Sequence, residues 1–151
     1  MLDDVDRRIL RQWQADASLS PVELAERARV SQGQVTRRIA RMRETGVIGG
    51  IEAVIDWTAL GYAVEVSLRI TLDKTVPRAF DEFIAAARVI PEVLEVQTFL
   101  GRVDVRLSVI ARDMAHYQEV YRRQILTLPH IADIEALMHV ARIKSEEALP
   151  L

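Results

Sequence analysis

Residues 31–46 read Ser-Gln-Gly-Gln-Val-Thr-Arg-Arg-Ile-Ala-Arg-Met-Arg-Glu-Thr-Gly, and their spacing decides the fold of the front of the chain. Val35, Ile39 and Met42 recur at intervals of four and three, which puts them on one stripe of a helix. Ser31 is placed to cap that helix and Gly46 to stop it. The outer positions are Gln32, Gln34, Thr36, Arg37, Arg38, Arg41 and Arg43, all hydrogen-bond donors and four of them cationic. No acid stands between Ser31 and Arg43, so the ion pairs that usually lace a solvated helix are missing. The major groove of DNA admits one helix, and Arg, Gln and small hydroxyl residues read base edges there. Arg also meets phosphates, which fixes register and supplies salt-dependent affinity. On this reading Gln32, Gln34, Thr36 and Arg37 face base edges, and Ser31, Arg38 and Arg41 face phosphates. Gly33 keeps the helix start slim where it approaches the duplex. An ordinary solvated helix is the other reading of the same positions.

Residues 3–16 form a second helical pattern, with Val5, Ile9, Leu10 and Trp13 on one stripe. Asp3, Asp4 and Asp6 lie in its first turn, where the helix dipole favours negative charge. Ser20, Pro21 and Glu23 give the next start signal: an N-cap, a proline at the first helical position and a capping-box acid. Val22, Leu24, Ala25 and Ala28 form the apolar face of the short helix that follows. Arg29-Val30-Ser31 interrupts it. Three helices with a short turn between the second and third predict a tri-helical, winged-type helix-turn-helix domain over residues 1–50.

Two glycines, Gly49 and Gly50, mark a bend. A short strand over 51–55 and a linker to residue 62 are expected to divide two domains. From Ala63 to Leu72 the chain alternates strictly, with Val64, Val66, Leu68, Ile70 and Leu72 on one side. Pro77 opens a helix whose inward residues are Phe80, Phe83, Ile84 and Ala87. Strands follow over 94–100 and 103–111, joined by a tight turn at Gly101-Arg102. A helix over 114–128, with Met114, Tyr117, Val120, Tyr121 and Leu128 inward, and a strand within 131–143 complete the order βαββαβ. The fold class is therefore α+β, with a C-terminal ferredoxin-like domain over 63–151. Two helices cover one face of such a sheet. Phe99, Ile110 and Leu137 are expected to project from the other, and a second copy of the chain is the simplest cover for them. A dimer also suits two recognition helices about 34 Å apart on a palindromic site.

The 151 residues carry a net charge of −2, which taken whole argues against a nucleic-acid partner. The halves differ, however. Residues 1–50 hold nine Arg against seven acids, a net +2, and the rest of the chain carries −4. Cysteine is absent, which excludes disulfides and thiolate metal sites and suits a cytoplasmic location. No apolar run is long enough for a membrane span, and the acidic start, Met1-Leu2-Asp3-Asp4, lacks a signal-peptide pattern. His116, His130 and His139 are dispersed, and neither a metal spacing nor a nucleophile or phosphate-loop motif occurs.

Three runs carry a resemblance: Leu2-Asp3-Asp4-Val5-Asp6-Arg7-Arg8-Ile9-Leu10; Glu23-Leu24-Ala25 with Val30-Ser31; and Val35-Thr36-Arg37-Arg38-Ile39 ending at Gly46-Val47-Ile48. With the βαββαβ order behind them, the whole chain resembles the Lrp/AsnC (feast/famine) family of bacterial and archaeal transcription regulators. The resemblance implies sequence-specific binding to double-stranded DNA and dimers that assemble into tetramers or octamers. It implies no cofactor beyond an amino-acid effector. In the family the hairpin between the second and third strands helps line the effector cleft, usually as Thr/Ser-Gly-Asp-x-Asp. Here it is Leu100-Gly101-Arg102-Val103-Asp104, so Gly101 and Asp104 match while Leu100 and Arg102 depart. Asp104 could receive an α-ammonium group and Arg102 a carboxylate; a structural hairpin without a ligand is the alternative. Pro129-His130 stands where the family usually has Pro-Gly, and Trp57 where the linker often has Pro. Two other functions remain open at this stage: an architectural DNA-binding protein that needs no metabolite, and an enzyme, since siroheme decarboxylases resemble this family.

Overall fold

Asp3 opens the first helix, α1 (Asp4–Ala15), by accepting the backbone N–H of Asp6, while the Asp6 carboxylate accepts that of Asp3. This is a capping box built from two aspartates. Ser20 and Glu23 form a second capping box at the start of α2 (Pro21–Ala28). Arg29 ends that helix in the left-handed conformation, at φ 56°, and Val30 N–H returns to the Ala25 carbonyl. Ser31 then caps α3 (Gln32–Glu44) by accepting the N–H of Gln34 at 3.3 Å. Gly46, at φ 75°, carries the chain out of α3, and Ile48 N–H closes back on the Met42 carbonyl. Ile9, Leu24, Ala28, Val35 and Met42 bury almost completely as the core of these helices. Val22 departs from the expected face and is half exposed.

The computed structural model describes residues 1–145 and 147–151. They divide into two compact units, Met1–Val54 with Lys144–Leu151, and Ile55–Ile143. Leu149 and Leu151 thus meet the first helix. The Gln14 side chain both donates to the Leu149 carbonyl and accepts the Leu149 N–H, each at 2.8 Å, and Arg11 Nε donates to the Leu151 carbonyl at 2.7 Å.

The second unit contains β1 (Val64–Leu72), α4 (Ala79–Ala87), β2 (Val93–Thr98), β3 (Val105–Ala111), α5 (Met114–Val120) and β4 (Ile131–Met138). The sheet order is β2-β3-β1-β4 with every pair antiparallel, the ferredoxin-like arrangement. Leu68 stands opposite Leu107 on one side and Ala136 on the other, so these residues share the helix-covered face. Phe83 and Ala87 of α4, with Tyr117 and Val120 of α5, pack over Val66, Leu68, Ile70, Leu107 and Val109 to make the core. Each fully buried aliphatic or phenyl side chain contributes about 1.5–3 kcal/mol.

Four further expectations are corrected. The strand expected over 51–55 is absent: residues 51–56 have no regular structure, and Ile51, Val54 and Ile55 are exposed. A strand needs a paired neighbour, and the described residues supply none there. The hairpin is not a two-residue turn, because β2 ends at Thr98 and β3 begins at Val105, with Phe99 N–H donating to the Asp104 carbonyl across the loop. The helix expected to reach residue 128 leaves α-geometry after Val120 and makes a π-helical turn over Tyr121–Ile125. That widening keeps Ile125 and Leu128 buried. Lastly, Phe80 and Met114 lie on the rims of their helices, 37% and 44% exposed, rather than inward. No helix among the described residues is long and apolar enough to cross a membrane.

Candidate functional site

On α3 the buried stripe of Val35, Ile39 and Met42 leaves the opposite side open. Two shallow grooves run along it. One, of about 270 Å³, is lined by Gln34, Arg37, Arg38 and Arg41. The other, of about 480 Å³, is lined by Ser31, Gln32, Gly33, Thr36 and Arg37. All seven residues singled out by the sequence on this helix therefore line one groove or the other. Gln32 and Arg37 are exposed, and Arg37 Nε donates to the Gly33 carbonyl one turn back, at 3.4 Å. The Thr36 hydroxyl donates to the Gln32 carbonyl at 3.1 Å, which leaves its oxygen able to accept.

Arg38 and Arg41 are placed differently. Arg38 Nη1 donates to both oxygens of Asp3 at 2.7 Å and to Asp6 Oδ1 at 2.8 Å, and its side chain is only 20% exposed. Arg41 Nη2 donates to Asp6 Oδ2 at 2.6 Å and is half exposed. Arg43 leans over the Trp13 ring, its guanidinium carbon 5.6 Å from the centroid. Burial alone would raise the Asp6 carboxyl. The bonds from Arg38 and the Asp3 N–H, with the charges of Arg38 and Arg41, outweigh it and hold the group below its ordinary value. The bond from Arg38 likewise lowers Asp3 to about 2. Sequence reading placed these aspartates at the helix dipole and missed their arginine partners. The signal was available: Asp6 shares a stripe with Ile9, Leu10 and Trp13, and a charge on an apolar stripe needs a counter-charge.

In the second unit the structure separates the four hairpin residues. Leu100, Gly101 and Arg102 are exposed at the loop tip, whereas Asp104 is 5% exposed beneath it. Asp104 accepts the Leu72 N–H at 2.8 Å and is ion-paired with Lys74. Burial pushes this carboxyl up, but Lys74 and the Leu72 N–H together hold it below its ordinary value. The position expected to take a ligand's ammonium therefore already has one from the chain itself. Thr71 ties the loop to β1 by donating to the Arg102 carbonyl at 3.2 Å. His130 adopts φ 65°, and its ring meets Glu82 at 2.5 Å.

Residues 2–43 match the AsnC-type helix-turn-helix domain, and residues 65–149 match the Lrp/AsnC ligand binding domain. The proline dehydrogenase transcriptional activator of Rhodobacter capsulatus is 35% identical over 87% of this chain and 86% of its own. The HTH-type transcriptional regulator Zrp of Zymomonas mobilis is 32% identical over 99% of this chain and 97% of its own. A transcriptional regulator of Neisseria meningitidis, solved in complex with L-Met, superposes with a TM-score of 0.92 at 25% identity, covering 99% of this chain and 97% of that one. These relatives are regulators of transcription rather than enzymes. With a helix-turn-helix that presents an arginine- and glutamine-lined α3, and an antiparallel sheet domain of the matching kind behind it, the chain belongs to the Lrp/AsnC family of DNA-binding transcription regulators.

Proposed function

We infer that α3 enters the major groove and reads base edges with Gln32, Gln34, Thr36 and Arg37, while Ser31 and Arg41 meet phosphates. The observation that carries this reading is the pair of open grooves along α3, lined by its glutamine, threonine and arginine side chains and away from its core stripe. Arg38 has the smallest part of the seven, because Asp3 and Asp6 already hold its guanidinium. The experiment is footprinting on a duplex selected from a random pool. Arg37→Ala should cost about 1–3 kcal/mol and relax preference at one base position. Wild-type affinity and an unchanged base preference in that variant would refute the assigned face.

The regulator responds to an amino acid at the β2–β3 loop, through Leu100, Gly101, Arg102 and Asp104. The L-Met complex of the Neisseria regulator supports this reading, as does the match to a ligand-binding domain. The ligand's ammonium group would take the place of Lys74 on Asp104, and Arg102 would approach its carboxylate. Effector binding alters DNA binding only if it favours one conformation or assembly over another. The working form is a self-association of at least two copies, supported by Phe99 and Leu137, 44% and 36% exposed, whereas Ile110, expected to project beside them, is buried. The architectural reading, DNA binding without a metabolite, predicts that no amino acid stabilises the protein.

A further inference from the structure

The four arginines of α3 do not present four equivalent cations. Arg38 is bound by two carboxylates, Arg41 by one, and Arg43 is turned over Trp13, so only Arg37 has neither a carboxylate nor an aromatic ring as partner among the described residues. Asp6 is the centre of this arrangement. It is completely buried, and each of its oxygens takes a different arginine of α3. Its Oδ2 also accepts the N–H of Asp3 at 3.1 Å, and its own N–H donates to Asp3 Oδ1 at 2.9 Å. The carboxylate is therefore anchored to its own helix where the arginines converge on it.

We propose that Asp6 sets the specificity of DNA binding: it is a positioning residue that withdraws Arg38 from the duplex and fixes the fork of Arg41 in the groove beside Gln34 and Arg37. The inference rests on the reading of α3 as the DNA-contacting helix. A mobile arginine can reach whichever phosphate lies nearest on any sequence, and each phosphate it neutralises adds counterion release without discrimination. A tethered one offers its remaining donors in a single geometry, at lower entropic cost, to a duplex of matching shape. Asp6 thus trades sequence-independent attraction for a preset donor pattern. Asp3 assists from the rim, since it holds Arg38 but not Arg41.

The test compares wild type, Asp6→Asn and Asp3→Asn in the full chain. Binding is measured across a salt series to a duplex selected from a random pool by the wild type and to unselected duplex of equal length. Asp6→Asn keeps the shape and removes the charge. It should raise affinity for unselected DNA, steepen the slope of log K against log salt by up to about 0.9 as Arg41 is freed and Arg38 loses one of its two carboxylates, and lower the ratio of selected to unselected affinity roughly tenfold. Asp6→Glu, which restores the charge, should recover much of that ratio. Asn caps a helix as well as Asp does, so Asp3→Asn keeps α1 capped and should shift slope and ratio in the same direction by less. If Asp6→Asn proves unfolded by circular dichroism, the Asp3→Asn result decides. An unchanged salt slope, or parallel loss on both duplexes, would mean that the aspartates only hold the helices together, and the proposal fails. A wild type that selects no sequence, or an Arg37→Ala variant that selects as well as wild type, would instead remove the underlying reading of α3.

Discussion

Asp104 and Asp6 are both acids that a strand or helix pattern places beside the core, and both are buried against cations from distant parts of the sequence. Their presence was legible; their partners were not. Asp104 belongs to a recognisable hairpin motif, but Lys74 comes from the turn after β1 and lies some thirty residues earlier. Nothing in local spacing announces such a pair, because it is made by strand pairing: Asp104 N–H donates to the Ile70 carbonyl, which brings the carboxylate beside Leu72 and Lys74. A prediction follows at this scale. Asp104→Ala should abolish any rise in melting temperature that an amino acid produces in the wild type, scored by thermal shift over the twenty common amino acids. It should also destabilise the second unit by about 1–3 kcal/mol, since the buried Leu72 N–H loses its acceptor. A full ligand shift in Asp104→Ala would move the effector site away from this loop.

Elements were legible where their ends carry side-chain signals. Ser20 with Glu23, and Ser31, were readable as caps, and the structure shows each accepting the expected N–H. The apolar stripes of α1 and α3 were equally plain, as was the alternation of β1. Failures occurred where structure depends on what lies opposite. Residues 51–55 are apolar enough to read as a strand but have no paired neighbour among the described residues, and the π-helical turn after Val120 accompanies the burial of Ile125 and Leu128 rather than any local motif. The turn between α2 and α3 offers an element-scale prediction. Arg29 holds a left-handed φ of 56°, a conformation in which an L side chain crowds the following carbonyl. Arg29→Gly should therefore stabilise the three-helix unit, by about 0.5–1 kcal/mol after glycine's greater freedom in the unfolded chain is deducted. Urea denaturation followed by Trp13 fluorescence measures it, and a loss of stability would show that the arginine side chain contributes more than its backbone costs.

For the molecule as a whole, the order of elements and the sheet topology followed from counting strands and helices, while self-association has to be tested in solution. The sheet face away from the helices carries Arg69 opposite Glu135 and Ser67 opposite Leu137. A mixed face of this kind suits a partner with the same pattern in reverse, as a two-fold axis supplies. Leu137→Arg should lower the sedimentation-equilibrium mass toward that of a single 17.1 kDa chain without altering the far-ultraviolet circular dichroism. An unaltered mass would place the contact elsewhere.

The grip of Gln14 and Arg11 on residues 149 and 151 makes the second unit an insertion within the first, because the polypeptide departs near residue 54 and returns at residue 144. A protease that nicks the exposed stretch around residues 51–56 would not by itself release the DNA-binding helices, which stay moored by their returning strap. For the same reason a fragment cut at residue 54 lacks part of its own fold.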